Sequence, residues 1–147
     1  MMKVAKAFLD TNIVLRATIT QFPLHEQVRT FVNTYVDLGI ELWINRQVVR
    51  EYFTQVTRPQ TFMKPMKAEQ IQPQYEVMRA TFKIADETEQ VTTQLITLLQ
   101  DYPTAGKQVH DANIVATMLA YDINTLLTLN IDDFKRFEDK ITLISPQ

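Results

Sequence analysis

Short apolar runs alternate with amphipathic helical segments along this chain, and this alternation restricts the possible folds more than any other feature. Residues 4–9 are a short apolar run, and residues 40–44 and 125–129 are two more. Strands that alternate with helices in this way predict an α/β fold with a parallel sheet that helices cover on both faces. Further strands are predicted over 82–85 and 141–144, and helices over 12–18, 24–38, 46–56, 87–101, 109–121 and, as a single turn, 131–137.

Chain-breaking and capping residues set the ends of several predicted elements. Thr11 or Asn12 is predicted to cap the first helix, and Asn45 the third. Gly39 is predicted to follow the second helix as its left-handed C-terminal residue. Residues 57–75 differ because prolines interrupt them, so we predict an irregular arm with a short helix near 67–71 and a further helical stretch over 74–80.

Composition excludes several classes of site. The 147 residues suit one domain over 1–147 with a substantial core, and the absence of cysteine rules out disulfides and thiolate metal sites. The chain has only two glycines, Gly39 and Gly106, and this excludes the glycine-rich Walker loop and the dinucleotide-binding fingerprint. The apolar region 113–129 contains Asp122 and two asparagines, so no membrane span is expected. The absence of cysteine fits a reducing cytosol, and the protein is predicted to be cytoplasmic.

The net charge of −2 is unusual for a protein that binds nucleic acid through a broadly basic surface. Binding to nucleic acid would therefore require divalent cations to offset a cluster of acids, or basic residues concentrated on one face. The position of the acidic residues is consequently the most informative part of the sequence.

Asp10 directly follows the first apolar run. The carboxyl ends of the strands in an open α/β sheet border the crevice where ligands bind, so a carboxylate there can reach a bound ion. The alternative is that Asp10 simply caps the helix that follows. For Asp10 taken alone, the two interpretations are about equally supported.

Two more acids lie on predicted helices. Glu51 borders the apolar stripe formed by Val48 and Tyr52, where an acid needs a partner or an ion. Asp111 lies in the first turn of its helix, where the helix dipole stabilises a carboxylate. The alternatives are a solvated charge for Glu51 and a capping role for Asp111.

A polar cluster follows the strand predicted at 125–129. Asn130 is expected at its carboxyl end, and Asp132 and Asp133 open the next turn, although an ordinary Asx turn also explains this pattern. Independent helix caps have no reason to converge on one edge of a sheet, whereas a hard cation needs several oxygen ligands close together. The four acidic positions together therefore favour a Mg²⁺ or Mn²⁺ site.

Three blocks of sequence resemble the PIN-domain family, which includes the toxin ribonucleases of VapC-type toxin–antitoxin pairs. The resemblance implies a PIN-like α/β/α sandwich with a central parallel sheet of four to five strands, and a metal-dependent endoribonuclease. The blocks lie in the family's order and span nearly the whole chain: residues 8–12, Glu51 in the helix after the second strand, and residues 109–117 with 126–134.

The resemblance also implies site residues. The family's metal-binding acids correspond to Asp10, Glu51 and Asp111, with one Mg²⁺ held chiefly by the two aspartates and by Glu51 directly or through water. Polar supporting residues correspond to Thr11, Asn12 and Thr128. The fourth acidic position of many relatives is Asn130 here, so Asp133, three residues further on, is the substitute that we expect, ahead of Asp132.

The activity implied by this resemblance is attack of water on an RNA phosphodiester, which leaves 5′-phosphate and 3′-hydroxyl ends. Arg46 and Arg50 lie one turn apart beside Glu51 and are candidates for phosphate contacts, with solvated charges as the equal alternative. An unpaired RNA loop is the expected substrate, because sequence-specific RNA readers favour unpaired bases. A cognate antitoxin and a homodimer are the partners that the resemblance suggests.

Other functions remain open at this stage. A haloacid-dehalogenase-type phosphatase would need a second aspartate two residues after the first, where this chain has Asn12. A receiver domain would need acids paired early in the chain, and they are absent. A catalytically weak PIN-like module for RNA binding or assembly is favoured by Asn130 and by the acidic charge balance.

Overall fold

Five parallel strands form the centre of the computed structural model, which describes residues 4–147. Their order across the sheet is β3-β2-β1-β4-β5, so the first strand is central and each crossover carries helical structure. The α/β prediction with four to five parallel strands is confirmed. The strands are β1 (Lys6–Leu9), β2 (Glu41–Asn45), β3 (Lys83–Ala85), β4 (Thr125–Leu127) and β5 (Thr142–Ile144).

Helices flank this sheet and pack mainly against their neighbours along the chain. Helix α1 contacts α2 and α3, and α5 packs along α6. A short 3₁₀ turn, Lys135–Phe137, follows the last helix. The helices are α1 (Thr11–Thr18), α2 (His25–Asp37), α3 (Arg46–Val56), α4 (Ala68–Thr81), α5 (Glu89–Asp101), α6 (Gln108–Ala120) and α7 (Ile131–Phe134).

The central strand is buried on both faces. Ala7, Phe8 and Leu9 are at most 1% exposed, which explains why these three successive residues of β1 are all apolar instead of alternating with polar ones. Its partners are in register, with Phe8 beside Trp43 on one side and Leu126 on the other. Burial of this strand fixes where its carboxyl end emerges, and Asp10 is the next residue.

The arm differs from its prediction in one respect. Residues 57–67 are irregular, as expected, but the two predicted helices form the single helix α4, with Pro73 inside it. The prediction of two separate helices is wrong because Pro73 is exposed, so water can solvate the carbonyl of Glu69 that the missing N–H leaves unbonded. The helix begins where the side chain of Gln70 accepts a hydrogen bond from the backbone N–H of Lys67 at 2.8 Å.

Strand β4 ends two residues earlier than predicted. The backbone N–H of Thr128 still donates to Ile144 in β5 at 3.0 Å. The next amide, that of Leu129, instead donates to the side chain of Asn12 at 3.1 Å. A side chain from α1 therefore ends the strand at the edge of the sheet where the polar residues collect.

Gly39 ends α2 in the left-handed conformation that the sequence predicts, with φ of 75°. A Cβ at this position would meet no atom within 4 Å, so replacement by alanine costs only the unfavourable backbone conformation. Gly39→Ala is expected to lower the free energy of unfolding by about 1 kcal/mol and the Tm by about 2–4 °C. Thermal unfolding checks this; Gly39→Asn should lose less because asparagine tolerates positive φ, and an unchanged Tm for the alanine variant would contradict it.

No helix within residues 4–147 combines the length and the apolar character needed to cross a membrane.

Candidate active site

A cleft of about 510 Å³ opens beside the carboxyl ends of β1 and β4, and it contains the acids that the sequence singles out. Asp10 enters it from the end of β1, Glu51 from the second turn of α3, and Asp111 from the first turn of α6. Asp133 enters from α7, after the end of β4. Four positions that are far apart in sequence thus share one cavity.

Asp10 uses its two carboxylate oxygens differently. One accepts the backbone N–H of Thr11 at 2.8 Å and caps α1. The other accepts the Thr128 hydroxyl at 2.7 Å and the Asn12 amide at 3.1 Å. Asp10 therefore caps α1 and also lines the cleft. The prediction that Thr11 or Asn12 caps α1 is wrong because Asp10 already supplies the cap.

Burial dominates the ionisation of Asp10. The residue is 7% exposed, and loss of solvent raises the pKa of Asp10 to about 6 although the hydrogen bonds from Thr128 and Thr11 oppose the shift. The negative charge of Glu51 adds to the rise. A carboxylate in this position gains from a nearby positive charge.

Glu51 is held at both oxygens by neighbouring side chains. The Thr11 hydroxyl donates to Oε2 at 2.7 Å, and the amide of Gln47 donates to Oε1 at 2.8 Å. The same Gln47 amide also donates to the backbone carbonyl of His110 at 3.0 Å. Gln47 thereby ties α3 to the start of α6, next to Asp111.

Asp111 and Asp133 are the two acids of the cleft whose carboxylates accept no hydrogen bond from the described chain, and Asp111 is the more buried of the two. It is half-buried, and no side chain or amide of residues 4–147 donates a hydrogen bond to its carboxylate. Burial first, and then the charges of Asp133 and Asp10, raise the pKa of Asp111 to about 6, while Arg136 opposes the rise. The Asp111 carboxylate therefore lies near other acids and accepts no hydrogen bond from the described chain.

The fourth acidic position is shared between a neutral and a charged residue. Asn130 and Asp133 both line the cleft, whereas Asp132 does not. The backbone N–H of Asn130 donates to the Thr128 hydroxyl at 2.9 Å, which links this turn to Asp10. The sequence expectation that Asp133 stands ahead of Asp132 agrees with this placement.

The four acids of the cleft are not arranged as a complete metal-binding site in this structure. Across residues 4–147, no three histidine, cysteine, aspartate or glutamate side chains meet the spacing of a ready-made metal site. Asp10 and Glu51 direct their oxygens to protein donors instead. The chemistry nevertheless fits a hard cation, because every candidate ligand is an oxygen and the Asp111 carboxylate accepts no hydrogen bond within the described chain.

The two arginines predicted beside Glu51 lie outside the cleft lining. Arg46 donates to Asp86 at 3.0 Å and to the hydroxyl of Tyr75 at 2.9 Å, so its charge is already paired. Arg50 is exposed on the same helix. The cation that lines the cleft is Arg16 of α1, which sequence reasoning missed, although its position one turn after Asn12 could have signalled it.

Comparisons with known proteins agree with this fold. Solved structures similar to this chain include VapBC2 from Rickettsia felis bound to promoter DNA, at 21% identity and a TM-score of 0.67 over 95% of this chain and 98% of that one. DNA-bound VapBC from Salmonella typhimurium matches at 17% identity and a TM-score of 0.69, over 98% and 100%. VapC20 from Mycobacterium tuberculosis, a Sarcin-Ricin loop cleaving toxin, matches at 14% and 0.59, over 82% and 86%.

A search of curated proteins finds no match. The family model for the PIN domain, in contrast, matches residues 7–140, a span that includes all four acids of the cleft, all of β4 and all of β1 except its first residue. The resemblance inferred from the sequence is thus confirmed over most of the chain, and the protein belongs to the PIN domain family.

Proposed function

We propose that this protein is a metal-dependent endoribonuclease that hydrolyses RNA phosphodiester bonds. The observation that carries the proposal is the convergence of Asp10, Glu51, Asp111 and Asp133 on one cleft at the carboxyl edge of the sheet. Membership of the PIN domain family supports it, as does the similarity of the fold to VapC20, a Sarcin-Ricin loop cleaving toxin.

The cation in this proposal is Mg²⁺ or Mn²⁺. Asp10 and Asp111 would hold it, with Glu51 directly or through water, because these carboxylates are buried or half-buried and repel one another without it. When bound, such an ion activates water and stabilises the charge that develops on phosphate oxygens. Asn130 contributes no charge at the fourth position, so we propose one tightly held ion, with Asp133 as the remaining acid.

The surrounding residues keep these acids in place for that role. Thr11 and Gln47 fix both oxygens of Glu51, and Thr128 and Asn12 fix one oxygen of Asp10. Hydrogen bonds of this kind orient ligands and typically affect metal affinity or activity by about 10- to 100-fold. The geometry of the acids therefore depends on side chains from α1, from α3 and from Thr128, the residue that follows β4.

A role as the toxin of a toxin–antitoxin pair follows from the same neighbours. The Rickettsia felis and Salmonella typhimurium structures are VapBC proteins bound to DNA, and the present chain covers nearly the full length of each matched chain. We therefore propose a cognate antitoxin protein as a partner, and a homodimer as the assembly. RNA is the proposed substrate.

A catalytically weak PIN-like module for RNA binding or assembly is the second candidate. It is favoured by the neutral Asn130 at the fourth position and by the lack of a ready-made metal group among residues 4–147. In that case the cleft would bind RNA without cleaving it.

RNA cleavage distinguishes the two candidates. The wild-type protein should cleave unpaired RNA with Mg²⁺ or Mn²⁺, yield 5′-phosphate and 3′-hydroxyl ends, and lose activity in excess EDTA. Asp10→Asn should be inactive while it stays folded by circular dichroism. RNA that binds to wild type but remains intact with either ion would support the second candidate and reject the nuclease.

Gln47 gives a separate prediction about how Glu51 is positioned. Gln47 is 4% exposed, and Gln47→Leu keeps its volume but removes both donors, to Glu51 and to His110. We expect RNA cleavage at saturating Mg²⁺ to fall about 10-fold because Glu51 loses its fixed orientation. Gln100→Leu, an exposed glutamine on α5, is the matched control and should retain wild-type rates; equal rates for the two variants would contradict the role.

A further inference from the structure

The cleft extends beyond the four acids. Arg16 lies one helical turn after Asn12 on α1, and Gln55 lies one turn after Glu51 on α3, and both line the same cavity. One turn of helix advances about 5.4 Å, so the cavity continues by roughly that distance past the acids. Its wall is completed there by two aromatic side chains, Phe22 and Phe62.

These two rings form an aromatic wall. Phe22 is 6% exposed and meets Phe62 in a T-shaped contact with ring centroids 4.8 Å apart. Phe62 comes from the irregular arm and stays 37% exposed, although large apolar side chains are usually covered. The contact with Phe22 holds an exposed ring in place at the side of an otherwise polar cleft.

Arg16 brings a positive charge to the same place. Its guanidinium lies 5.9 Å from the centre of the Phe22 ring and donates to the backbone carbonyl of Asn12 at 3.2 Å. Its Nε is buried and has no hydrogen-bond partner among residues 4–147. No carboxylate of the described chain lies within salt-bridge distance of it, in contrast to Arg46 and Arg79.

We propose that Arg16 and Phe62 form a subsite for the nucleotide next to the bond that is cleaved, in which an unpaired RNA base stacks on Phe62 and its phosphate binds Arg16. This inference rests on the proposed ribonuclease function. Aromatic rings stack on unpaired bases and guanidinium groups bind phosphate in bidentate fashion. A base inside an A-form helix is already stacked, so the subsite selects single-stranded RNA.

An RNA ligand fits this cleft better than a protein ligand does. Arg16 is the one cation among the described residues that line the cavity, and a divalent cation held by the four acids would offset their repulsion of a polyanion. The guanidinium of Arg16, which has no carboxylate partner in the described chain, and the exposed ring of Phe62 offer a phosphate contact and a stacking surface in one cavity, as a single strand requires.

Binding of RNA that carries a single abasic site tests the stacking contact. The Asp111→Asn chain, which should bind without cleaving, is titrated with an unpaired RNA oligonucleotide and with versions that each lack one base. Loss of one particular base should raise the Kd about 10-fold. Adding Phe62→Leu should raise the Kd for intact RNA by a similar factor and remove the penalty for that abasic site, because the two changes act on one contact.

Phe62→Tyr, which keeps an aromatic ring, and Arg29→Gln, which leaves Arg16 unchanged, are the controls for the two contacts. Phe62→Tyr should bind RNA like its parent, and Phe62→Leu should keep the parent's melting temperature because leucine still packs on Phe22. Arg16→Gln should weaken binding about 10-fold at low salt and reduce the slope of log affinity against log salt by about one, whereas Arg29→Gln, an exposed arginine on α2, should not.

Failure of this inference can be separated from failure of the proposed function. If wild type cleaves RNA but Phe62→Leu and Arg16→Gln bind it as tightly as their parent, the subsite is rejected and the nuclease stands. If wild type cleaves no RNA but the Phe62-dependent abasic penalty is found, the nuclease is rejected, and with it the position of the subsite beside a cleaved bond, while the stacking contact of Phe62 with an unpaired base stands. An affinity loss for a protein partner, with RNA affinity unchanged, would also overturn the subsite.

Discussion

Asp111→Asn is expected to reduce RNA cleavage about 10³-fold while it makes the metal-free protein more stable. The carboxylate of Asp111 is half-buried, receives no hydrogen bond from the described chain, and is repelled by Asp133, Asp10 and Glu51. It is therefore placed to hold a cation, and loss of a ligand that contributes about 4 kcal/mol to the transition state gives a reduction of this size.

The stability effect follows from the same repulsion. Burial and neighbouring charges raise the pKa of Asp111 to about 6, which means that the ionised group opposes folding at neutral pH. After allowance for solvent screening at a half-buried site, removal of the charge should stabilise the protein by about 1 kcal/mol and raise the Tm by about 2–4 °C in EDTA. Mg²⁺ should raise the Tm of wild type and leave that of Asp111→Asn unchanged.

Asp132→Asn is the matched control for both measurements. It removes the same charge from an exposed aspartate that lies beside Asp133 but outside the cleft. Cleavage and the response to Mg²⁺ should remain at wild-type levels. If Asp111→Asn destabilises the metal-free protein, or cleaves RNA as fast as Asp132→Asn does, the role given to Asp111 is wrong.

Thr128→Val is expected to weaken both the cation site and the fold. The Thr128 hydroxyl is fully buried, donates to Asp10 at 2.7 Å and accepts the backbone N–H of Asn130 at 2.9 Å. Valine has the same shape but leaves the buried Asp10 carboxylate short of a donor, which should cost about 2 kcal/mol of unfolding free energy. The Mg²⁺ concentration for half-maximal cleavage should rise about 10- to 100-fold.

Serine at the same position separates the hydroxyl from the methyl group. Thr128→Ser keeps the donor and should restore most of the Mg²⁺ affinity, with a small stability loss for the missing methyl. Chemical unfolding and a Mg²⁺ titration of cleavage measure the two effects. Equal behaviour of the valine and serine variants would show that the hydroxyl does not hold Asp10.

Local sequence signals were sufficient to predict the strands of the sheet and the positions of Asp10 and Glu51. The apolar segment before Asp10 predicted a buried strand, and Asp10 follows the carboxyl end of β1 directly. Asn45 accepts from the backbone N–H of Val48 at 2.9 Å and starts α3 where predicted, which sets the position of Glu51. Helix capping and strand burial depend on residues that are close together in the sequence, so the ends of these elements could be predicted from the sequence.

Contacts between distant segments were not predictable in the same way. Gln47 joins Glu51 to the backbone of His110, 63 residues away, and nothing near Gln47 in sequence marks that partner. Phe62 lies in an arm without regular structure, and its contact with Phe22 depends on how that arm folds back. The helix break predicted near Pro73 is also wrong, because the exposed Pro73 is tolerated inside α4.

Calorimetric titration of the metal-free protein with Mn²⁺ tests the central claim, that the acids of this cleft form one cation site, most directly. Wild type should bind one ion per chain with measurable heat, and Asp132→Asn should do the same. Asp111→Asn should show no such binding. Absence of Mn²⁺ binding by folded wild type, or equal binding by Asp111→Asn, would contradict the claim.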